Sequence, residues 1–318
     1  MQQAARHNAV FIAGGTTLVD LMKLHVASPA HLVDISRLPL DTIELLDDGG
    51  VKIGSMVRNS ELMHHPVIAA HFPVLSQAVA SGASPQLRNM ATLGGNLMQR
   101  TRCYYFRDTA YEACNKRKPG SGCAALEGYT RIHAILGTSD QCIATHASDM
   151  AVALLALDAL VHVKSLTNTR SVPMAHFHLS PEHTPHIETV LQPGELITHV
   201  TVPRRSFSLL SCYVKLRDRA SFEFALASAA VGLEVVSGQI TSARVALGGV
   251  ATKPWRSHEA EDVLTGASLH GKTFHTAADA ALRDARPQRH NAFKIDLAKK
   301  AVMSALSQLA KSVNPNYE

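Results

Sequence analysis

The sequence lacks an apolar run long enough to span a membrane. The longest such stretch extends from Met150 to Val163, is interrupted by Asp158, and is shorter than the roughly 20 residues that a spanning helix requires. The first eight residues are polar and no apolar segment with a small-residue cleavage site follows them, so no signal peptide is visible. We expect a protein that is cytoplasmic by its own sequence, or that reaches the periplasm only by co-export with a signal-bearing partner.

Motifs of several large protein classes are also missing. No G-x-G-x-x-G pattern is present, which excludes the dinucleotide fingerprint of a Rossmann fold. The histidines form no H-E-x-x-H pattern, and no G-x-S-x-G nucleophile motif occurs. The net charge of +5 is modest and the basic residues are scattered, so nucleic-acid binding is not expected.

The composition indicates a globular protein of two or three compact units, since 318 residues with 46% hydrophobic content exceed one typical domain. Hydrophobic periodicity and turn residues predict strands at 10–13 and 32–35, a helix at 16–25, a hairpin that turns at 47–50, and short helices divided by Pro66 and Pro73. Strands and helices alternate irregularly along the chain. This favours an α+β fold over a doubly wound sheet.

A linker-like segment, Pro203-Arg204-Arg205-Ser206, divides the chain, and we place the two domains at residues 1–203 and 206–318. Ser148 is a good N-cap for a helix that begins near Asp149. The further elements that we expect are strands at 161–164, 196–202, 213–216, 225–236 and 244–247, a hairpin turn at Ser237-Gly238, and three closing helices, the last at about 291–313.

Cysteine is unevenly distributed, because Cys103, Cys114, Cys123 and Cys142 lie within forty residues and only Cys212 lies elsewhere. The surrounding segment, residues 97–147, shows little periodicity, and a loop of that length inside a domain is usually functional or disordered. Its spacing lacks the C-x2-C pairs of zinc ribbons and bacterial ferredoxins. From spacing alone, the four thiols could hold a 4Fe-4S cluster, hold structural zinc, or be unrelated. Ligation would supply the order that a missing apolar core cannot.

The same segment holds a local excess of basic residues. Such an excess is typical of a solvated loop face, the interpretation that we favour, or of a docking surface for an acidic partner. The residues concerned are Arg100, Arg102, Arg107, Lys116, Arg117, Lys118 and Arg131.

Two glycine turns precede the cysteines, Ala13-Gly14-Gly15-Thr16 and Thr92-Leu93-Gly94-Gly95-Asn96. Glycines let the backbone approach an anion closely, and free N–H groups at a helix N-terminus stabilise phosphate. Two such loops could bind a pyrophosphate from both sides. The alternative for each loop is a structural turn that binds no ligand. Asp149 could accept hydrogen bonds from ribose hydroxyls, or could serve only as a first-turn charge that the helix dipole favours.

Taken in order, these segments resemble the FAD-binding medium subunit of the xanthine dehydrogenase/aldehyde oxidase family of molybdenum hydroxylases. The insertion of the cysteine segment between the second glycine loop and Asp149 is similar to that of the FAD subunit of the bacterial periplasmic aldehyde oxidoreductase, in which it holds a 4Fe-4S cluster. The resemblance runs nearly end to end and rests on residues 11–18 and 91–97, Ala147-Ser148-Asp149, Gly194-Glu195-Leu196-Ile197, Tyr213-Val214-Lys215, Ala246-Leu247-Gly248-Gly249-Val250 and Lys253-Pro254-Trp255-Arg256.

The resemblance implies a two-subdomain FAD-binding domain of the vanillyl-alcohol-oxidase type, with the insertion at residues 97–147, followed by a small α+β C-terminal domain. It implies that Asp149 takes the adenosine ribose side of FAD and that Ile197 and Lys215 lie near the isoalloxazine. The cluster ligands would be Cys103, Cys114, Cys123 and Cys142. The pyrophosphate and ribityl region would be held by Phe11, Ile12, Ala13, Gly14, Gly15, Thr16, Thr17, Leu18, Ala91, Thr92, Gly94, Gly95 and Asn96.

By the same resemblance, the chain is an electron-transfer subunit of a heterotrimer and carries no catalytic residue. A large subunit with the molybdenum cofactor would oxidise an aldehyde, and a small subunit with 2Fe-2S clusters would pass the electrons to FAD, which hands them to an external acceptor. Two alternatives stay open: a stand-alone flavin oxidase, for which no substrate pocket with a general base is evident, and a zinc-stabilised interaction subunit. Cys212, outside the insertion, is expected to be a small buried hydrophobe.

Overall fold

A computed structural model describes residues 9–315 and Tyr317. Residues 1–8, on which the expectation about a signal peptide rests, lie outside the described residues. Within the described part, the chain forms eleven strands and twelve helices. No helix in that part is both long enough and apolar enough to cross a membrane.

The strands are β1 (Ala9–Ile12), β2 (His31–Asp34), β3 (Ile43–Leu45), β4 (Val51–Gly54), β5 (Leu160–Lys164), β6 (Thr169–Pro173), β7 (Leu196–Val202), β8 (Ser211–Leu216), β9 (Ala227–Val236), β10 (Gln239–Gly248) and β11 (Trp255–Arg256). The helices are α1 (Leu18–Lys23), α2 (Asn59–His64), α3 (Pro66–His71), α4 (Pro73–Ser81), α5 (Pro85–Arg88), α6 (Leu93–Leu97), α7 (Tyr104–Arg107), α8 (Asp149–Ala156), α9 (Met174–Phe177), α10 (His258–Leu264), α11 (Gly271–Ala281) and α12 (Phe293–Val313).

The described strands form three sheets. β1 and β2 pair in parallel across α1. Five strands form an antiparallel sheet in the order β3-β4-β7-β5-β6, and four more form an antiparallel sheet in the order β11-β10-β9-β8. Antiparallel sheets with helices packed to one side make an α+β architecture, so the predicted fold class is confirmed.

Both predicted hairpins are present. Between β3 and β4, Gly49 has a φ of 79°, and the N–H of Gly50 donates to Asp48 Oδ1 over 2.8 Å. Between β9 and β10, Ser237 and Gly238 have φ values of 51° and 81°. Positive φ at both central positions gives a two-residue turn the twist that antiparallel strands require.

The central helix α8 organises the first core. Ser148 Oγ accepts the N–H of Ala151 over 2.9 Å, which confirms the predicted N-cap. Every residue of α8 is buried, and the helix lies in the core shared by α2 to α4, the five-stranded sheet and the inner side chains of β8 to β10. Apart from Asp149, the helix is apolar on every side, as expected of a helix that is buried between layers.

A second core lies between the four-stranded sheet and helices α10 to α12. Cys212 belongs to it, is 6% exposed, and donates its S–H to the carbonyl of Ala305, which confirms the expectation of a small buried hydrophobe. Ile135 and Leu136 of the insertion also belong to this core, and the N–H of Ile135 donates to Val250 O over 2.8 Å. The insertion therefore packs against the C-terminal part of the chain.

A third core lies inside the insertion itself, so the expectation that this segment lacks an apolar core is wrong. Phe106 is fully buried there, together with Tyr105 and Ile143, and Leu21 of α1 packs against them. The core residues are drawn from positions far apart in the chain, so they leave no local period in the sequence. The segment holds itself together by packing as well as by any ligation.

The basic residues of the insertion are structural, which corrects the interpretation that they form a solvated face. In the described structure, the side chains of six of the seven bind acceptors within the chain. The side chain of Lys118 is the exception. Arg102 and Arg107 pair with Asp20, Arg100 and Lys116 with Glu188, and Arg131 with Asp218, while Arg117 donates to the carbonyls of Tyr105, Phe106, Asp108 and Tyr111.

Candidate functional site

The two glycine loops meet in the folded chain. Residues of both line one cavity of about 310 Å³, which we call the glycine chamber. Its remaining wall is mainly apolar and includes Met56, Met98 and Ile197. The structure therefore brings residues 11–18 and the second loop, 91–96, to one cleft.

Glycine is required where the two loops touch. A Cβ on Gly14 would lie 1.9 Å from the carbonyl oxygen of Met90, directly before the second loop. Gly15 has a φ of 71°, in the left-handed region that favours glycine. The paired glycines of the first loop are thus needed for the chain to bring the loops together.

Unused backbone donors line the glycine chamber. Within the described residues, the N–H groups of Gly15, Thr16 and Thr17 donate to no protein acceptor. In the second loop, by contrast, the N–H of Gly95 already donates to Thr92 Oγ1 over 3.2 Å. The first loop is therefore the better donor set for an anion, and the second loop forms the opposite wall.

A second cavity of about 210 Å³ adjoins the first, and we call it the carboxylate chamber. Asp149 and Lys215 line it. The two chambers share residues of both loops, namely Thr16, Thr17, Ala91 and Gly95. The two chambers therefore lie side by side across the loops, and we treat them as the two parts of one cleft.

Asp149 lies at the base of the carboxylate chamber with both oxygens engaged. Its Oδ2 is 2.8 Å from Lys215 Nζ, and its Oδ1 accepts the hydroxyl of Tyr213 over 2.6 Å. Burial, and then the negative charge of Asp149, raise the pKa of Tyr213 well above its ordinary value, so that hydroxyl stays a donor. Each carboxylate oxygen keeps a lone pair for a further donor, such as a hydroxyl of a bound ligand.

Ile197 and Lys215, which are both predicted to lie near the isoalloxazine, line different chambers of the cleft, and their place beside the ring system stays a prediction. Ile197 lines the glycine chamber, whereas Lys215 lines the carboxylate chamber with its amino group on Asp149 and on the carbonyl of Ser81. Lys215 sits on β8 and Ile197 on β7, in different sheets. The sequence gives no sign of this separation.

Two polar side chains of the cleft were missed by the sequence analysis. Ser55 lines the glycine chamber and Asn59 lines the carboxylate chamber. Ser55 Oγ and Asn59 Oδ1 are buried and have no hydrogen-bond partner in the described structure. Buried polar atoms are normally satisfied, so these two indicate that a polar ligand belongs in the cleft. Neither lies in a motif, and only the folded contacts identify them.

We predict that Asp149→Asn destabilises the fold. The side chain of Lys215 is 3% exposed, and removing the only carboxylate that pairs with it in the described structure leaves a buried cation without a counter-charge, at a cost of about 3–5 kcal/mol. Tyr213→Phe removes one hydrogen bond to a charged group and should cost less, about 1.5–3 kcal/mol. Urea unfolding of the two variants compares these costs. An Asp149→Asn loss no larger than that of Tyr213→Phe would contradict the ion-pair argument.

The four cysteines of the insertion converge in the third core. Cys103, Cys114 and Cys142 are buried and Cys123 is partly buried. Cys114 and Cys123 face each other in an antiparallel bridge. The pKa of Cys103 is raised to about 12, chiefly by burial and also by the neighbouring Cys142 and Cys114. Cys114 is also a neighbour of Cys123 and of Cys142. All five cysteines of the chain are free thiols.

Backbone N–H groups surround these sulfurs and act against the effect of burial. Those of Phe106 and Tyr105 lower the pKa of Cys103, and those of Ala125, Leu126 and Ile143 lower that of Cys123. The N–H of Ala144 lies 3.5 Å from Cys142 Sγ. Donors of this kind favour the thiolate form, which is the form that binds metals.

Two family models match the chain. The FAD binding domain in molybdopterin dehydrogenase matches residues 1–205. The CO dehydrogenase flavoprotein C-terminal domain matches residues 212–309. Together they account for nearly the whole sequence.

Individual relatives agree with the family models. The chain is 50% identical over 301 residues to the aldehyde oxidoreductase FAD-binding subunit PaoB of Escherichia coli, covering 94% of this chain and 91% of that protein. It is 26% identical to the carbon monoxide dehydrogenase medium chain of Hydrogenophaga pseudoflava, covering 88% and 80%. Among solved structures, quinoline 2-oxidoreductase from Pseudomonas putida superposes with a TM-score of 0.74 at 25% identity, covering 98% and 93% of the two chains.

Proposed function

The chain belongs to the family of FAD-binding subunits of molybdenum hydroxylases, and we propose that it is the subunit of an aldehyde oxidoreductase that carries both FAD and a 4Fe-4S cluster. The FAD-binding part and the oxidoreductase class follow from the family. The observation that supports the cluster is the convergence of four thiols, each close to others of the set, in a core lined with N–H donors.

FAD, when bound, supplies the reversible acceptance and release of electrons, while the protein binds and orients it. We propose that the unused N–H groups of Gly15, Thr16 and Thr17 bind the pyrophosphate. Asp149 would accept from a ribose hydroxyl in the carboxylate chamber. The apolar wall around Ile197 would cover the ring system in the glycine chamber and exclude water from it.

Four thiolates are the usual ligand set of a 4Fe-4S cluster, which serves as a one-electron carrier. Cys103, Cys114, Cys123 and Cys142 would be those ligands, and the backbone donors of Tyr105, Phe106, Ala125, Leu126, Ile143 and Ala144 would stabilise the negative charge on the sulfurs. Burial alone would keep the thiols of Cys103 and Cys142 protonated. A bound cation would be needed to stabilise them as thiolates.

The zinc alternative is less well supported. A tetrahedral zinc ion holds thiolates at about 2.3 Å, which places the sulfurs about 3.8 Å from one another. Among the described residues, no group of three or more His, Cys, Asp or Glu side chains could hold a metal ion. In a 4Fe-4S cluster each thiolate binds a different iron, so the sulfurs stand further apart. The described residues thus offer no site for a single zinc ion, and we propose the cluster instead.

We further propose that the chain works within a heterotrimer, beside a large subunit with the molybdenum cofactor and a small subunit with 2Fe-2S clusters, and that it passes electrons to an external acceptor. The relatives support this, since they are an FAD-binding subunit and a medium chain. Among the described residues, neither chamber is lined by an imidazole, and each carboxylate that lines them is already paired: Asp149 with Lys215 and Tyr213, Glu195 with Arg170, and Glu223 with Arg219. This arrangement favours an electron-transfer subunit over a stand-alone flavin oxidase.

The test is to purify the chain alone and with its two partner subunits. Alone, it should contain FAD with about four iron and four sulfide, as one 4Fe-4S cluster requires, and should oxidise aldehydes no faster than the buffer does. Addition of the partners should restore turnover. Aldehyde oxidation by the isolated chain, or zinc in place of iron after anaerobic purification, would refute the proposal.

A further inference from the structure

A buried histidine contacts one of the four cysteines. His133 Nε2 lies 3.1 Å from Cys103 Sγ, and the His133 residue is 1% exposed. Cys103 is the N-cap of α7, whereas His133 lies thirty residues later in the insertion, beyond Cys123. The contact is therefore made by the fold rather than by sequence proximity.

The ring can donate to the sulfur in only one way once Cys103 is a metal-bound thiolate. A thiolate accepts and does not donate, so the proton must lie on Nε2 of His133. The other nitrogen, Nδ1, then carries no proton, and it has no hydrogen-bond partner in the described structure. No protein acceptor competes for a proton on Nδ1, which is compatible with the Nε2–H form.

The C-terminal part of the chain fixes the backbone of His133. Its carbonyl accepts from Lys294 Nζ over 2.9 Å and from Asn291 Nδ2 over 3.1 Å. Both donors are fully buried at the start of α12. Lys294 also donates to Gly249 O over 2.6 Å, which ties the same point to the end of β10. The imidazole is thus held against Cys103 from outside the insertion.

We propose that His133 is a positioning residue that raises the reduction potential of the cluster by donating a hydrogen bond to the sulfur of Cys103. The inference rests on the proposed cluster. Reduction adds negative charge to the cluster and its sulfurs, so a donor to a ligand sulfur stabilises the reduced form more than the oxidised form. Hydrogen bonds to the sulfurs are among the factors that set the potentials of such clusters.

The test is a redox titration of the full chain, followed by the EPR signal of the reduced cluster, with wild type, His133→Leu and His133→Gln. Leucine fills similar space without a donor, while glutamine can place an N–H near the position of Nε2. We expect His133→Leu to disfavour reduction on the order of tenfold, which is about 59 mV for a one-electron couple. His133→Gln should recover most of the wild-type potential.

The donor role would be equally supported if His133→Leu loses the cluster while His133→Gln retains it at a near-wild-type potential. An unchanged potential in His133→Leu, equal shifts in both variants, or loss of the cluster from both would overturn it, because packing alone would then account for the contact. Absence of iron from the wild-type chain is a separate result, which refutes the cluster itself.

Discussion

Serine in place of Cys103, Cys114, Cys123 or Cys142 is expected to remove most iron and acid-labile sulfide from the purified chain. Each of the four thiols belongs to or packs on the third core, and each has others of the set as neighbours. A hydroxyl is a far weaker ligand for iron than a thiolate, and metal binding at such a site is coupled to the folding of the segment. We expect iron content on the order of a tenth of wild type or less.

Cys212→Ser is the matched control for these variants. Cys212 is as buried as Cys103, Cys114 and Cys142, but it lies in the second core and contacts the carbonyl of Ala305. The serine hydroxyl can donate to the same carbonyl, so the change should leave iron and sulfide at wild-type levels. Full iron in Cys123→Ser, or equal loss in Cys212→Ser, would contradict the assignment of the ligands.

Loss of the cluster should also weaken flavin retention. The insertion is tied to α1 through the pairing of Arg102 and Arg107 with Asp20, and α1 directly follows the first glycine loop. At its other end, Ser148 donates to Asn96 of the second loop over 2.5 Å. A disordered insertion would therefore loosen both walls of the cleft. Flavin content of the four serine variants, measured with their iron content, tests this link.

The local part of the fold could be predicted from the sequence. The turns at Asp47-Asp48-Gly49-Gly50 and Ser237-Gly238 and the N-cap at Ser148 all rest on residues within a few positions of each other. Signals of this kind can be recognised in the sequence because they depend only on neighbouring residues. The long α12 was predicted within two residues at its start, because its apolar face repeats over several turns.

What could not be predicted depends on contacts between distant residues. Asp149 and Lys215 are 66 residues apart in the chain, and Arg107 and Asp20 are 87 apart. A charged residue in a sequence does not indicate which opposite charge it will meet. The solvated face predicted for the basic residues was wrong for this reason. The apolar core of the insertion was missed because its residues lie far apart in the chain and leave no local period.

The glycine motifs could be predicted only in part. Their pairing could be predicted from residue type, but the roles of the individual glycines could not. Gly15 has a positive φ and Gly14 abuts Met90 O, so substitution of either one strains the backbone whatever the cleft holds. Only Gly95 is suited to a test of ligand binding. A Cβ there would come within 4 Å only of Thr92 Oγ1, at 3.1 Å, and the residue lines both chambers.

Gly95→Val is accordingly expected to abolish FAD binding while the protein stays folded. The valine side chain would project into the point where the two chambers join, which the pyrophosphate of an extended dinucleotide must pass. We expect at least about a hundredfold weaker binding, or about 2.8 kcal/mol. Flavin released on denaturation, measured against protein concentration, gives the occupancy, and far-ultraviolet circular dichroism checks the fold.

Gly271→Val is the matched control for this variant. Gly271 also lies in the first turn of a helix, α11, and a Cβ there meets nothing nearer than the hydroxyl of Tyr317 at 3.9 Å. Both changes replace a glycine in a helix by valine, so they alter helix propensity in the same direction and by a similar amount, under about 1 kcal/mol. If the two variants retain equal flavin, the pyrophosphate does not pass Gly95. If only Gly95→Val loses it and remains folded, the junction of the two chambers is where FAD crosses the chain.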